Sequence, residues 1–426
     1  MRESASVIPS AQSVEQDRLG LRLLRRLVFN RLAGLQQGCV IIHEADGQRY
    51  PFGQATEAYP LTANVYMHDH NTYRRLALRG SIGVAEAYMA GEWSCDDLTA
   101  LMRIFVRNRG VLNGLEHGPV KLAMWLFRTA HHQRRNTRDG SRDNIAQHYD
   151  LGNEFYRLFL DETLMYSSAV FERPEMSLHE ASVAKLERIC RKLDLQPSDH
   201  VLEIGSGWGG FALHAARHYG CRVTTTTISK EQHRLACERI AAAGLESQIT
   251  VLLKDYRDLE GRYDKLVSIE MIEAVGHEYL DTYFNTCNKL LKEDGLMLLQ
   301  AITIMDQEYD RARRAVDFIQ KYIFPGGFIP SITTLCGSLT RVTDMRLFHL
   351  EDIGPHYALT LQHWRERFRD NLDRVREQGF DEQFIRMWEY YLCYCEGGFT
   401  ERAIGTAQLL LSKPFNRRAP LVPALG

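Results

Sequence analysis

The most constraining feature of this chain is a buried-strand run, HVLEIG, that ends in the turn Gly205-Ser206-Gly207-Trp208-Gly209-Gly210 and passes straight into FALHAARHYG. A strand that becomes a helix through several glycines brings its backbone close to a ligand, because glycine carries no Cβ. The same grammar then repeats. CRVTTTTIS reads as a second strand, and Ser229 caps the helix SKEQHRLACERIAAAG, which stops at Gly244. ITVLLKD, YDKLVSIEM and GLMLLQAIT supply three more strands, with the helix EYLDTYFNTCNKLLKEDG between the last two. This alternation predicts an α/β fold with a doubly wound, mainly parallel sheet. Its ligand is expected beyond the carboxyl ends of the strands, near the first crossover.

The turn alone does not choose the ligand, since dinucleotide enzymes use similar ones. A nicotinamide enzyme wants an acid about 20 residues on, to hold the ribose hydroxyls. That region is Thr224 to Thr227 here, and it contains none. Glu203, just before the first glycine, fits instead the pattern used for S-adenosylmethionine. Asp255 and Tyr256 follow the third strand, where an acid and an aromatic face suit an adenine amine and ring. Glu273 lies just past the fourth strand among apolar neighbours, which makes it a site candidate; the plainer alternative is a cap on the next helix.

The N-terminal part reads differently. From Leu19 to Leu35, Leu19, Leu23, Leu24, Leu27 and Val28 are expected on one helical face, with Arg22, Arg25, Arg26 and Arg31 largely elsewhere. A basic amphipathic helix can dock on an anionic membrane, or pack on a core with a solvated basic edge. Between His117 and Arg138 there is no acid, but there are Lys121, Arg128, Arg134, Arg135 and Arg138. Overall charge is nevertheless balanced, 52 Lys+Arg against 54 Asp+Glu, which argues against a nucleic-acid partner. Nine scattered cysteines without a C-x-x-C pair read as reduced thiols and give no metal site. No secretory signal or membrane-spanning run is visible. The expected place is the cytoplasm, peripherally on the inner face of the membrane.

Motifs in the larger part carry a resemblance. QHYDLGNEFYRLFLDETLMYSSAVF, VLEIGSGWGGFA, TTISKEQ, LLKDYRDL, IEMIEAVGHEYLDTYF, IQKYIFPGGFIPS, HYALTLQHWRERF and YYLCYCEGGFTERAIGTAQLLLSKP run in order through residues 145–413. The chain resembles the cyclopropane-fatty-acyl-phospholipid synthases of the mycolic-acid cyclopropane synthase superfamily. The resemblance implies a class I S-adenosylmethionine-dependent methyltransferase fold, Rossmann-like and doubly wound, with a smaller N-terminal α+β domain. The expected division is a tail at 1–17, a lipid-associated domain at 18–120, a basic linker at 121–144, the catalytic domain at 145–413 and a tail at 414–426. A lipid-facing insertion is expected around 306–345, and a homodimer is admitted. Tyr166, Ser167, Gly205, Gly207, Thr227, Ile228, Gln232 and Tyr256 are the implied cofactor contacts, alongside Glu203 and Asp255. The resemblance also implies a bicarbonate ion held by Ser168, Glu273, Gln300 and Tyr357. Ser168 stands where a Cys is typical, Gln300 where a His is typical, and Ala274 where a His commonly follows the motif glutamate.

The chemistry then follows. An alkene attacking a sulfonium methyl leaves a carbocation, which aromatic faces can stabilise while excluding water. A base, here expected to be bicarbonate, must then take a proton. Loss from the new methyl closes a cyclopropane; loss from a neighbouring carbon leaves a branch. The expected activity is transfer of that carbon to the cis double bond of unsaturated phospholipid acyl chains, giving cyclopropane fatty acids. Methyl- or methylene-branched products are the alternative. A nicotinamide dehydrogenase and a non-catalytic lipid-binding relative are the competing classes.

Overall fold

The computed structural model describes residues 11–112, 140 and 151–421, with backbone alone for 11–19, 111 and 112. It divides into two compact units, residues 1–127 with 381–390 and residues 128–380 with 391–426.

In the first unit, strands β1 (Gly38–His43), β2 (Arg49–Gln54), β3 (Thr62–Met67) and β4 (Trp93–Cys95) form a sheet ordered β2-β1-β3-β4. The helix Ala11–Leu32 turns Val28 and Leu32 inward, and Phe29 meets the rings of Tyr50, Phe52 and Tyr73 at 4.9, 5.0 and 6.0 Å. Two expectations change here. The residues from Ala11 to Asp17 are helical, not tail. Leu23 and Leu27, expected with Val28 on one face, are 64% and 49% exposed, because packing by Val28, Phe29 and Leu32 rotates them outward. The basic segment from Lys121 to Arg138 lies outside the described residues.

The second unit holds β5 (His200–Ile204), β6 (Arg222–Thr227), β7 (Ile249–Leu253), β8 (Tyr263–Ile269), β9 (Leu291–Ile304), β10 (Arg346–Asp352) and β11 (Ile404–Ser412). Their order is β10-β11-β9-β8-β5-β6-β7, parallel from β9 to β7, with β11 antiparallel to both β9 and β10. Neighbouring residues of β5 serve opposite faces, as a pleat requires. Leu202 and Ile204 join the core roofed by the helices Leu280–Leu290 and Ile332–Val342, while Val201 joins the one roofed by Leu178–Leu193 and Gly210–Tyr219. Helix ends follow the sequence signals. Ser177 and Glu180 form a capping box, Ser229 accepts from the Gln232 amide, and the Gly210–Tyr219 helix ends in left-handed Gly220. The order reverses between β5 and β8, so the crevice opens at their carboxyl ends.

The Gly210–Tyr219 helix starts against the chain at Thr163–Met165. A Cβ on Gly210 would lie 2.7 Å from the Thr163 carbonyl oxygen and 2.6 Å from Met165 Sδ. Gly210→Ala should therefore destabilise the unit by about 1–3 kcal/mol through overpacking, measured by urea unfolding.

Candidate active site

The glycine turn sits at the end of β5, with Gly205, Gly207 and Gly209 all at positive φ. The amides of Gly205 and Ser206 donate to Thr226 O, which ties the turn to β6. A Cβ on Gly205 would come within 3.0 Å of Met271, whereas one on Gly207 would meet nothing within 4 Å. Open space directly over a glycine at the carboxyl edge fits the cofactor implied for this turn. Trp208 is pinned below it by donating to Asn153 Oδ1 at 2.7 Å.

Around this crevice the remaining cofactor candidates take different places. Thr227 Oγ1 donates to Gln232 Oε1 at 2.9 Å and accepts from the Ser229 amide at 3.1 Å, beside half-buried Ile228. Tyr256 is packed edge-on against Tyr283 at 5.5 Å. Asp255 is buried, and Arg257 takes both its oxygens, at 2.8 and 2.7 Å; this pairing was not read from the sequence. Ser167 accepts from Lys185 Nζ at 2.8 Å, a fully buried lysine that sequence reasoning did not select. Burial lowers its ammonium to about 8. Glu203 lies inside the sheet, accepting from Thr225 Oγ1 at 2.6 Å, and burial pushes its carboxyl up to about 8.

The expected anion site is rearranged. Ser168, Gln300 and Tyr357 do come together, but on Glu270, which follows β8. Glu270 Oε1 accepts from the Ser168 amide at 3.0 Å and from Gln300 Nε2 at 2.8 Å, and Oε2 accepts from the Tyr357 hydroxyl at 2.8 Å. The Ser168 hydroxyl donates instead to Ala169 O at 3.0 Å. Glu273 stands apart from this set: its Oε1 accepts from the Ile302 amide at 2.6 Å, and its buried Oε2 has no hydrogen-bond partner among the described residues. Burial, with Glu270 nearby, raises the Glu273 carboxyl to about 8. Bicarbonate therefore does not fit as expected, because a side-chain carboxylate already occupies the donors assigned to it. The sequence signal was available in Glu270 itself, an acid closing an apolar strand run.

Gln300 is oriented from behind. Lys192, which has only donors, reaches Gln408 Oε1 at 2.7 Å, so the Gln408 amide nitrogen faces Gln300 Oε1 at 2.9 Å. That leaves Gln300 Nε2 as the donor aimed at Glu270. Burial and the adjacent Glu270 keep the Tyr357 hydroxyl well above its usual pKa, so it too stays a donor.

Aromatic rings line the approach. Tyr166 hydrogen-bonds Tyr391 hydroxyl to hydroxyl at 2.9 Å, and its ring lies 5.2 Å from Trp364 and 6.2 Å from Phe324. Tyr357 stacks on Phe399 at 4.4 Å and meets Trp364 edge-on at 6.0 Å. Phe324 follows the π-helical turn Ile319–Ile323, inside the expected lipid-facing insertion. Such a cluster can stabilise a carbocation and exclude water.

A family model described as mycolic acid cyclopropane synthetase matches residues 136–409. The chain is 40% identical over 359 residues to the tuberculostearic acid methyltransferase UfaA1 of Mycobacterium tuberculosis, covering 82% of this chain and 83% of that protein. It is 36% identical over 354 residues to the cyclopropane-fatty-acyl-phospholipid synthase of Escherichia coli, covering 82% and 88%. Among solved structures, the mycolic acid cyclopropane synthase CmaA1 in complex with S-adenosylhomocysteine and a detergent matches with a TM-score of 0.60 at 32% identity, over 64% of this chain and 98% of that one. The second unit accordingly has the fold of the S-adenosylmethionine-dependent methyltransferases.

Glu203 makes a pH prediction. Below pH 4.5 its folded and unfolded forms are both protonated; from there to about 8 only the folded form keeps the proton, so rising pH favours unfolding. Glu203→Gln keeps an acceptor for Thr225 without that proton. Its melting temperature should match wild type near pH 4.5 and exceed it increasingly towards pH 8, read by thermal melts across that range.

Proposed function

Since the chain belongs to the mycolic acid cyclopropane synthetase family, we propose that it transfers the methyl carbon of S-adenosylmethionine to the cis double bond of unsaturated phospholipid acyl chains, giving cyclopropane fatty acids. The observation that carries this reading is the aromatic cluster of Tyr166, Phe324, Tyr357 and Trp364 beside a buried carboxylate at the carboxyl edge of the sheet. Bound at the glycine turn, the cofactor supplies an electrophilic methyl on a sulfonium. Gly205, Gly207, Thr227, Ile228, Gln232, Tyr256 and Tyr166 are the residues assigned to hold it, with Ser167, Glu203 and Asp255 supporting them from buried positions. The alkene's electron pair forms the new bond to carbon as the carbon–sulfur pair returns to sulfur. Aromatic faces then stabilise the cation on the acyl chain and keep water from trapping it. Proton loss ends the reaction, and the proton's origin decides the product.

A second reading, an open-chain methyl branch, is favoured by the likeness to UfaA1, which is named for tuberculostearic acid. Lipid mass spectrometry of cells expressing the protein and fed methyl-deuterated methionine separates the two. Two retained deuteriums are expected, with ozonolysis distinguishing a ring from a methylene branch. Three retained deuteriums would establish a methyl branch formed by proton loss from a neighbouring carbon, a saturated CHD2 branch would mark a methylene product reduced by a separate hydride donor, and no labelled acyl chain would overturn both readings.

We propose further that the protein reaches its substrate from the cytoplasmic side of an anionic membrane, through the outer face of the helix Ala11–Leu32. Leu23 and Leu27 are exposed there together with Arg22, Arg26 and Arg31, a surface both basic and apolar. No helix among the described residues is long and apolar enough to cross a membrane. Replacing Arg22 and Arg26 by Gln should weaken binding to vesicles rich in phosphatidylglycerol roughly tenfold or more, at about 1 kcal/mol per basic residue. Leu23→Ser with Leu27→Ser should weaken it too, and salt should weaken the wild type. Unchanged, salt-independent binding in a sedimentation assay would refute this face.

A further inference from the structure

We propose that Glu270 is the base of this reaction, a carboxylate built into the chain at the place where the family resemblance puts a bicarbonate ion. This rests on the acyl-methylation reading above and names the proton acceptor within that site.

Three independent donors converge on the Glu270 side chain, from the Ser168 backbone, the Gln300 amide and the Tyr357 hydroxyl. They come from three separate parts of the chain, and none of them is replaced by an acceptor. The Lys192–Gln408–Gln300 series fixes the direction of the amide, so the site is polarised for an anion. Lys185, fully buried on Ser167, adds a cation in the same interior. Lone-pair accounting then selects an atom. Oε1 receives two hydrogen bonds and is saturated, whereas Oε2 receives one and keeps a lone pair.

The backbone points the same way. Glu270 has φ +49, a left-handed conformation that a residue with a side chain rarely adopts. Strain held in place by surrounding hydrogen bonds, here Glu270 N to Gln300 O at 2.8 Å, is typical of functional positions. Burial raises both carboxyls, but Glu273 is less suited to the task, because it has one backbone donor where Glu270 has three donors to support its anion.

The step balances. Glu270 Oε2 takes a proton from the carbon that was transferred. The electron pair of that C–H bond closes the third side of the ring onto the cationic carbon. The cation and the carboxylate are neutralised together, and the carboxylic acid returns its proton to water once the product has left. No diffusible anion is needed.

The test compares wild type with Glu270→Gly, since glycine accepts the positive φ and vacates the three donors. Turnover would be measured with S-adenosylmethionine and vesicles of unsaturated phosphatidylglycerol, in carbon-dioxide-free buffer with and without added bicarbonate. Wild type should be indifferent to bicarbonate. The variant should lose about 100-fold or more without it, as removal of a general base predicts, and recover on its addition. Line broadening of 13C-bicarbonate should show binding to the variant and none to wild type. Equal calorimetric affinity for S-adenosylmethionine would show that both are folded. A wild type that requires or binds bicarbonate, or a variant fully active without it, would overturn the assignment. If wild type modifies no acyl double bond, the functional reading falls, and the bicarbonate-binding measurement still decides whether Glu270 fills the anion site.

Discussion

The site depends on one constraint: a lysine ammonium can only donate. Lys192 sits between Glu351, at 2.6 Å, and Gln408, at 2.7 Å, and so settles which end of each buried amide faces which neighbour. Gln408 and Gln300 are direct partners in the register of β11 on β9, and Ile269 at the end of β8 is partnered with Gln300. Sheet register thus carries the polarity of Lys192 across the strands to Glu270. A slip of one residue in either pairing would turn the amides to the opposite face and leave the carboxylate without its donor.

Buried polar groups of this kind are costly unless every member is satisfied. Glu270 is satisfied three times over, which offsets part of the cost of its burial, although burial still holds its carboxyl above the ordinary value. Glu273, close by, is not: one oxygen is bonded and the other is bare among the described residues. Burial raises both carboxyls, but three hydrogen bonds pull that of Glu270 back down, while the neighbouring charge of Glu270 raises that of Glu273 further. Such separation of neighbouring acids is how proteins assign distinct roles to chemically identical groups. The rings of Tyr166, Phe324, Tyr357 and Trp364 lie around the same site.

What the sequence determined by itself was whatever local chemistry controls. Strand runs, the glycine turn, Ser229 as a cap and Gly220 as a stop are short-range signals and appear where they read, except that β9 begins at Leu291, inside the stretch read as the end of the preceding helix. Motifs also selected Ser168, Gln300 and Tyr357, which do meet in space. What only the tertiary structure decided was the object of their meeting. Glu270 reads as the last letter of a strand, and Glu273 as the motif acid; which of the two faces the donors depends on a positive φ that no propensity scale anticipates. The outward turn of Leu23 and Leu27 was decided in the same way, by Val28 and Leu32 finding a core on the other side of the helix. Periodicity narrows which residues can share a face, but only long-range packing determines which of them are buried and which acid sits among the donors.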